Sequence, residues 1–184
     1  MRMVEKLQKY AQGRIVLMLF GATLCVYLTM LLYSIPSVLK LTPTMKLFDM
    51  SPGGYTHAYA KELLSAIGPE GRRLYLTRQL PLDFIYPGLF AITYTLMLVW
   101  LFSKRYDRQS KIFFLVFVPA VAGLFDYLEN IVIILILRSF PDLSFELVKI
   151  SSIFSISKSV FTIIFFLLLF YGLGVLVLKK KNHD

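Results

Sequence analysis

Long apolar runs separated by short polar breaks make up most of the chain. Four runs approach or exceed the roughly 18 residues that carry an α-helix across a bilayer. They fall at about 15–35, 84–102, 112–137 and 153–178. The pattern predicts an all-α, polytopic membrane protein: a single domain built on a four-helix transmembrane bundle.

Only the segment of about 36–82 is long enough to hold structure outside those runs. Ser51-Pro52-Gly53-Gly54 is a turn cluster. Thr56 can cap a helix running to about Ile67, and Gly68 with Pro69 marks its stop. Pro69 can then open a second helix, Glu70 to about Leu80, that leads into the second run. Leu63, Leu64 and Ile67 share one face of the first helix, with Lys61, Glu62 and Ser65 on the others. The expectation is a helical extracytoplasmic hairpin, either capping the bundle or lying on the membrane surface. No internal repeat is visible, so nothing supports an inverted-repeat transporter within one chain.

Composition agrees with the pattern. Of 184 residues, 57% are hydrophobic, more than a soluble domain of this size can hide. The net charge of +9 does not imply nucleic acid. Its lysines and arginines gather at run ends: Arg2, Lys6, Lys9 and Arg14; Lys104, Arg105, Arg108 and Lys111; Lys179, Lys180 and Lys181. Four spans put all three groups on one side, which the positive-inside rule makes cytoplasmic, with both termini in, in a plasma (inner) membrane. The first run is long and lacks a convincing small-residue cleavage site, so it is read as a retained helix rather than a signal peptide. Cys25 is the only cysteine, which excludes a disulfide or a cysteine zinc site within one chain. No cofactor or metal is expected.

Against this background "GLFDYLENIVIILIL" stands out. Asp126, Glu129 and Asn130 fall within about one turn. Asp126 is twelve residues from Arg138 and fifteen from Lys111, well inside the third run by either ruler. A charge at such a depth costs at least about 2.5–3.5 kcal/mol. Pro119, Ala122, Gly123, Asp126, Asn130 and Ile133 share a face with Glu129 at its edge, so the stripe is expected to pack on protein rather than lipid. Two carboxylates one turn apart repel in a low dielectric, and the pair is expected to hold a proton between them.

The fourth run begins with a polar stripe of Ser151, Ser155, Lys158 or Ser159, and Thr162. Lys158 is the expected counter-charge. Counted from Lys179 it lies about 30 Å away at the outer boundary, where it would snorkel. Counted from Lys149 it lies more than two turns deep, and the buried reading is preferred. One lysine explains one acid but not both. The start of the second run adds Arg78, Asp83 and Tyr86 at a similar level, and Cys25, Thr29 and Tyr33 on the first run offer a further wall. The expected site is therefore Arg78, Asp83, Tyr86, Asp126, Glu129, Asn130, Ser155 and Lys158. Plainer roles compete: Asp83 as an interfacial N-cap, the tyrosines as belt residues, the serines as packing glue, and His57 as a residue of a wet loop.

Three functions fit these residues. The first is binding or proton-coupled transport of a small amphipathic or cationic molecule or a lipid. The second is an intramembrane enzyme acting on a lipid-linked substrate, with paired carboxylates as acid and base. The third is an accessory subunit that recognises a partner's membrane helix. Expected partners are membrane lipids and either a second copy, for which Gly172-x-Gly174 would allow close approach, or another membrane protein.

Overall fold

The computed structural model describes residues 2–107 and 109–181; Arg108 and His183 lie outside them, and the side chains of Arg2, Lys179, Lys180 and Lys181 are likewise not described. The described residues form no strand, one short 3-10 turn and six helical runs. They are α1 (Arg2–Tyr10), α2 (Gly13–Leu39), α3 (His57–Ala66), α4 (Gly68–Phe102), α5 (Lys111–Ser139) and α6 (Phe145–Lys181). Four of them, α2, α4, α5 and α6, are long and apolar enough to cross a membrane.

These four stand in a row. α2 packs on α4, α4 on α5, and α5 on α6, while α4 also reaches α6. α5 can approach α4 closely because Gly123 has no side chain: a Cβ there would lie 2.8 Å from the Pro87 carbonyl oxygen. Gly172 is used in the same way, against Leu101 and Phe102 of its own chain, whereas Gly174 faces open space. The spacing that pointed to chain association thus serves, in part, packing within the chain.

Two apolar cores result. One joins α2, α4 and α5 at one end of the bundle with Phe48, Leu63, Leu64, Ile67 and Tyr75. The other holds Val4, Phe90, Leu98, Phe102, Val116 and Phe165 at the opposite end. Between them, on α4, α5 and α6, lies a layer that contains every fully buried carboxyl residue among those described: Asp83, Asp126 and Glu129.

The predicted hairpin takes a different form. Thr56 does cap α3, its hydroxyl accepting from the Tyr59 amide, and Leu63, Leu64 and Ile67 are buried against the bundle end. The hairpin therefore caps the bundle. Its second arm is not a separate helix: Gly68–Leu74 continues through a π turn, Tyr75–Gln79, straight into Leu80–Phe102. α2 carries a matching π turn at Met30–Ser34. Each π turn closes just ahead of a proline, Pro36 or Pro81. In each turn the amide reaches back five residues, Ile35 N–H to Met30 O and Leu80 N–H to Tyr75 O. The two turns meet, with Ser34 Oγ donating to Gln79 Oε1 at 2.5 Å.

The α5–α4 contact sets the spacing of the row, and it can be tested. Gly123→Ala should destabilise by about 1–3 kcal/mol, because a backbone carbonyl cannot move aside. Gly21→Ala, which meets nothing within 4 Å, should be neutral or stabilising by up to about 1 kcal/mol. Thermal midpoints of the two variants in one detergent check the pair.

Candidate functional site

Lys158 organises the polar layer. Its Nζ lies 3.1 Å from Asp126 Oδ1 and 2.5 Å from Glu129 Oε2, and reaches the Asp49 carbonyl at 3.5 Å. One lysine thus bridges both acids, where the sequence reading allowed it only one. Helical geometry makes this possible. Asp126 and Glu129 are three apart on α5 and share a face, and α6 brings the lysine between them. Glu129 is fully buried, and its Oε1 has no hydrogen-bond partner.

Asn130 has a structural explanation. An α-helix would pair the Asp83 carbonyl with the amide of residue 87, but residue 87 is proline. Asn130 Nδ2 donates to that orphan carbonyl at 2.7 Å. The amide thus mends the α4 ladder from the neighbouring helix. Asp83 itself lies mid-helix in the continuous α4, so it is not the N-cap of a span. It is 3% exposed, and its Oδ2 has no partner.

Asp49 completes the layer, and the sequence reading did not foresee it. It sits on a single 3-10 turn, Phe48–Met50, that packs against α5 and α6. Tyr75 OH donates to its Oδ1 at 2.6 Å and Gln79 Nε2 to its Oδ2 at 2.7 Å. The turn is pinned from α6 as well: Ser155 Oγ donates to the Ser51 carbonyl at 2.9 Å, and the Tyr55 amide donates to Ser152 Oγ at 2.9 Å. Tyr55 OH donates to Ser151 Oγ at 2.6 Å, and burial, with Glu129 nearby, holds its phenol above the ordinary range, so it remains a neutral donor. A signal was available: an acid flanked by Phe48 and Met50, and Tyr75 and Gln79 four apart in line with the second run.

The layer faces a cleft of about 490 Å³ between α2 and α6. Asp49, Asp83, Asp126, Lys158, Ser159 and Thr162 line its polar part. Tyr27, Met30, Leu31, Tyr86, Phe90 and Phe166 line much of the remainder. Tyr86 lies between Tyr27 and Phe90, with ring centroids 5.7 and 5.9 Å away. The rim residues Tyr27, Leu31, Ile163 and Phe166 are exposed, so the cleft opens on the flank of the bundle.

The predicted set divides accordingly. Asp83, Tyr86, Asp126 and Lys158 line the cleft, while Glu129, Asn130 and Ser155 stand behind it. Arg78 does not join them: it is exposed, with its guanidinium over the Tyr33 ring at 5.7 Å. The predicted first-helix wall is also rotated. Cys25, Thr29 and Tyr33 are exposed, and α2 lines the cleft with Tyr27, Met30, Leu31 and Ile35. His57 is not a free loop residue, since its Nε2–H donates to the Leu143 carbonyl at 3.0 Å and ties the cap to the start of α6. Among the described residues no group of three or more His, Cys, Asp or Glu is placed to hold a metal.

Two variant series test this account. Lys158→Met leaves Asp126 and Glu129 without their counter-charge and should cost about 3–5 kcal/mol; adding Asp126→Asn and Glu129→Gln should recover most of it in thermal unfolding. Asn130→Leu should cost about 1–3 kcal/mol by stranding the Asp83 carbonyl. Pro87→Ala, which restores an amide at position 87, should reduce that penalty in the double variant.

Comparison with family models, with curated proteins and with solved structures finds no match to this chain.

Proposed function

We propose that the protein is an integral membrane protein that takes a membrane-dissolved amphiphile into the flank cleft and moves it in exchange for protons. The observation that carries this reading is the cleft itself: polar at one end, apolar and aromatic over the rest, and open sideways between two apolar helices. Leu32 on α2 and Leu167 and Phe170 on α6 point outward and are largely exposed, a surface that a bilayer covers. A molecule already in the membrane would enter without crossing water, its chain along the aromatic wall and its head at the carboxylates.

The placement of basic residues supports an orientation. α1 packs against the inner end of α4, where Gln8 Nε2 donates to Ser103 Oγ. Lys6, Lys9, Arg14, Lys104, Arg105 and Lys111 gather at this end, opposite the cap, which favours a cytoplasmic location for it. The cap and the cleft's polar end then belong to the extracytoplasmic half.

Exchange with protons follows from the charge balance of the layer. Asp49, Asp83, Asp126 and Glu129 stand against Lys158, more acid than one lysine can neutralise. A proton and a ligand head would compete for the surplus, the element by which intramembrane carboxyls couple transport.

Reconstituted liposomes test the proposal. A fluorescent single-chain amphiphile should accumulate when a pH gradient is imposed, and its binding should saturate and weaken on acidification. Asp126→Asn, which removes one of the surplus acids, should weaken the pH response while the thermal midpoint is kept. Accumulation no greater than in protein-free liposomes, together with no saturable binding, would refute the reading.

A further inference from the structure

Within the cleft reading just given, and resting on it, the geometry points to the ligand class: a single-chain amphiphile with an ammonium head, held by Asp83 against an aromatic wall.

The polar groups of the cleft are not equally free. Both Asp49 carboxylate oxygens accept hydrogen bonds from Tyr75 and Gln79. Asp126 and Glu129 share Lys158. Lys158 in turn is engaged by two carboxylates and the Asp49 carbonyl, so it has little to offer a phosphate or carboxylate head. Glu129 also keeps a bare oxygen but stands behind the cleft, so what remains on the lining is Asp83. It lines the cleft, it is almost fully buried, and its Oδ2 lacks any partner. A buried carboxylate oxygen left bare carries a desolvation cost that a bound donor removes.

Two further features favour a cationic head, and a third limits the ligand to one chain. Three carboxylates line the cleft against one ammonium, which disfavours anionic heads. Tyr27, Tyr86 and Phe90 form a continuous aromatic series on the same wall, and ring faces attract an ammonium. The volume of about 490 Å³ is within the range of a drug-sized ligand, which favours one chain.

Chain-matched ligands separate the possibilities. Dodecylamine, dodecanol and dodecyl phosphate would be titrated against the full-length protein in lipid nanodiscs, by displacement of a fluorescent single-chain probe. The amine should bind roughly tenfold or more tighter than the alcohol, and the phosphate weakest, as one charge-assisted contact implies. Asp83→Asn should bring the amine to the level of the alcohol without changing alcohol binding or the thermal midpoint. Equal affinity for amine and alcohol, a preference for phosphate, or an amine preference that survives Asp83→Asn would overturn the inference while leaving the cleft reading intact. No saturable displacement by any of the three would instead refute the cleft reading. If Asp83→Asn does not fold, Tyr27→Leu at the exposed rim decides. It should weaken the amine several-fold more than the alcohol, and an equal effect on both would overturn the inference.

Discussion

An ammonium held between two carboxylates in an apolar bundle constrains everything around it. Removing such charges from water is expensive, and only close pairing and further hydrogen bonds offset the cost. The architecture reads as a response to that demand. α5 and α6 must pack tightly to bring Lys158 to Asp126 and Glu129. The loop after α2 must fold inward to deliver the Asp49 carbonyl to the lysine. Having brought a carboxylate with it, that loop then requires Tyr75 and Gln79 as donors. The polar layer separates two apolar cores, and the cap above exists largely to hold the inserted turn in place.

The layer is unevenly satisfied, which favours the proposed site over a purely structural network. A purely structural cluster would pair its groups. Here Asp49 is fully occupied, Asp126 and Glu129 share one lysine, and Asp83 keeps a bare oxygen beside a cleft that opens on the bundle flank. Asn130 stands at the opposite extreme, since its donor is fully committed to the carbonyl that Pro87 releases. Residues adjacent in sequence, Glu129 and Asn130, thus do unrelated work.

The helices were legible because bilayer-length hydrophobicity is a property of sequence alone, and so was the buried face of α5, whose small and polar residues recur at helical spacing. The pairing of Lys158 with α5 was legible from charge. What the sequence could not reveal was rotation and long-range closure. Arg78 sits one residue from buried Gln79, and only the local π geometry decides which of them faces inward. The same geometry on α2 turns Met30 and Ile35 toward the cleft and Thr29 and Tyr33 away. Asp49 joins the layer through contacts with residues 26 to 109 positions away, beyond the reach of any periodicity.

The paired π turns have a consequence for how this chain can change. Each holds one residue more than an α-turn, and one residue on an α-helix corresponds to about 100° of rotation. The faces presented before and after each turn are therefore out of phase, which lets one unbroken helix address the cleft along part of its length and the cap along the rest. A single-residue deletion within 30–34 or 75–79 would leave composition and hydropathy almost untouched. It would nonetheless turn the whole cap-side segment of that helix, carrying Ser34 or Gln79 out of the polar network. For this protein the length of a segment is under tighter physical constraint than the identity of most residues in it.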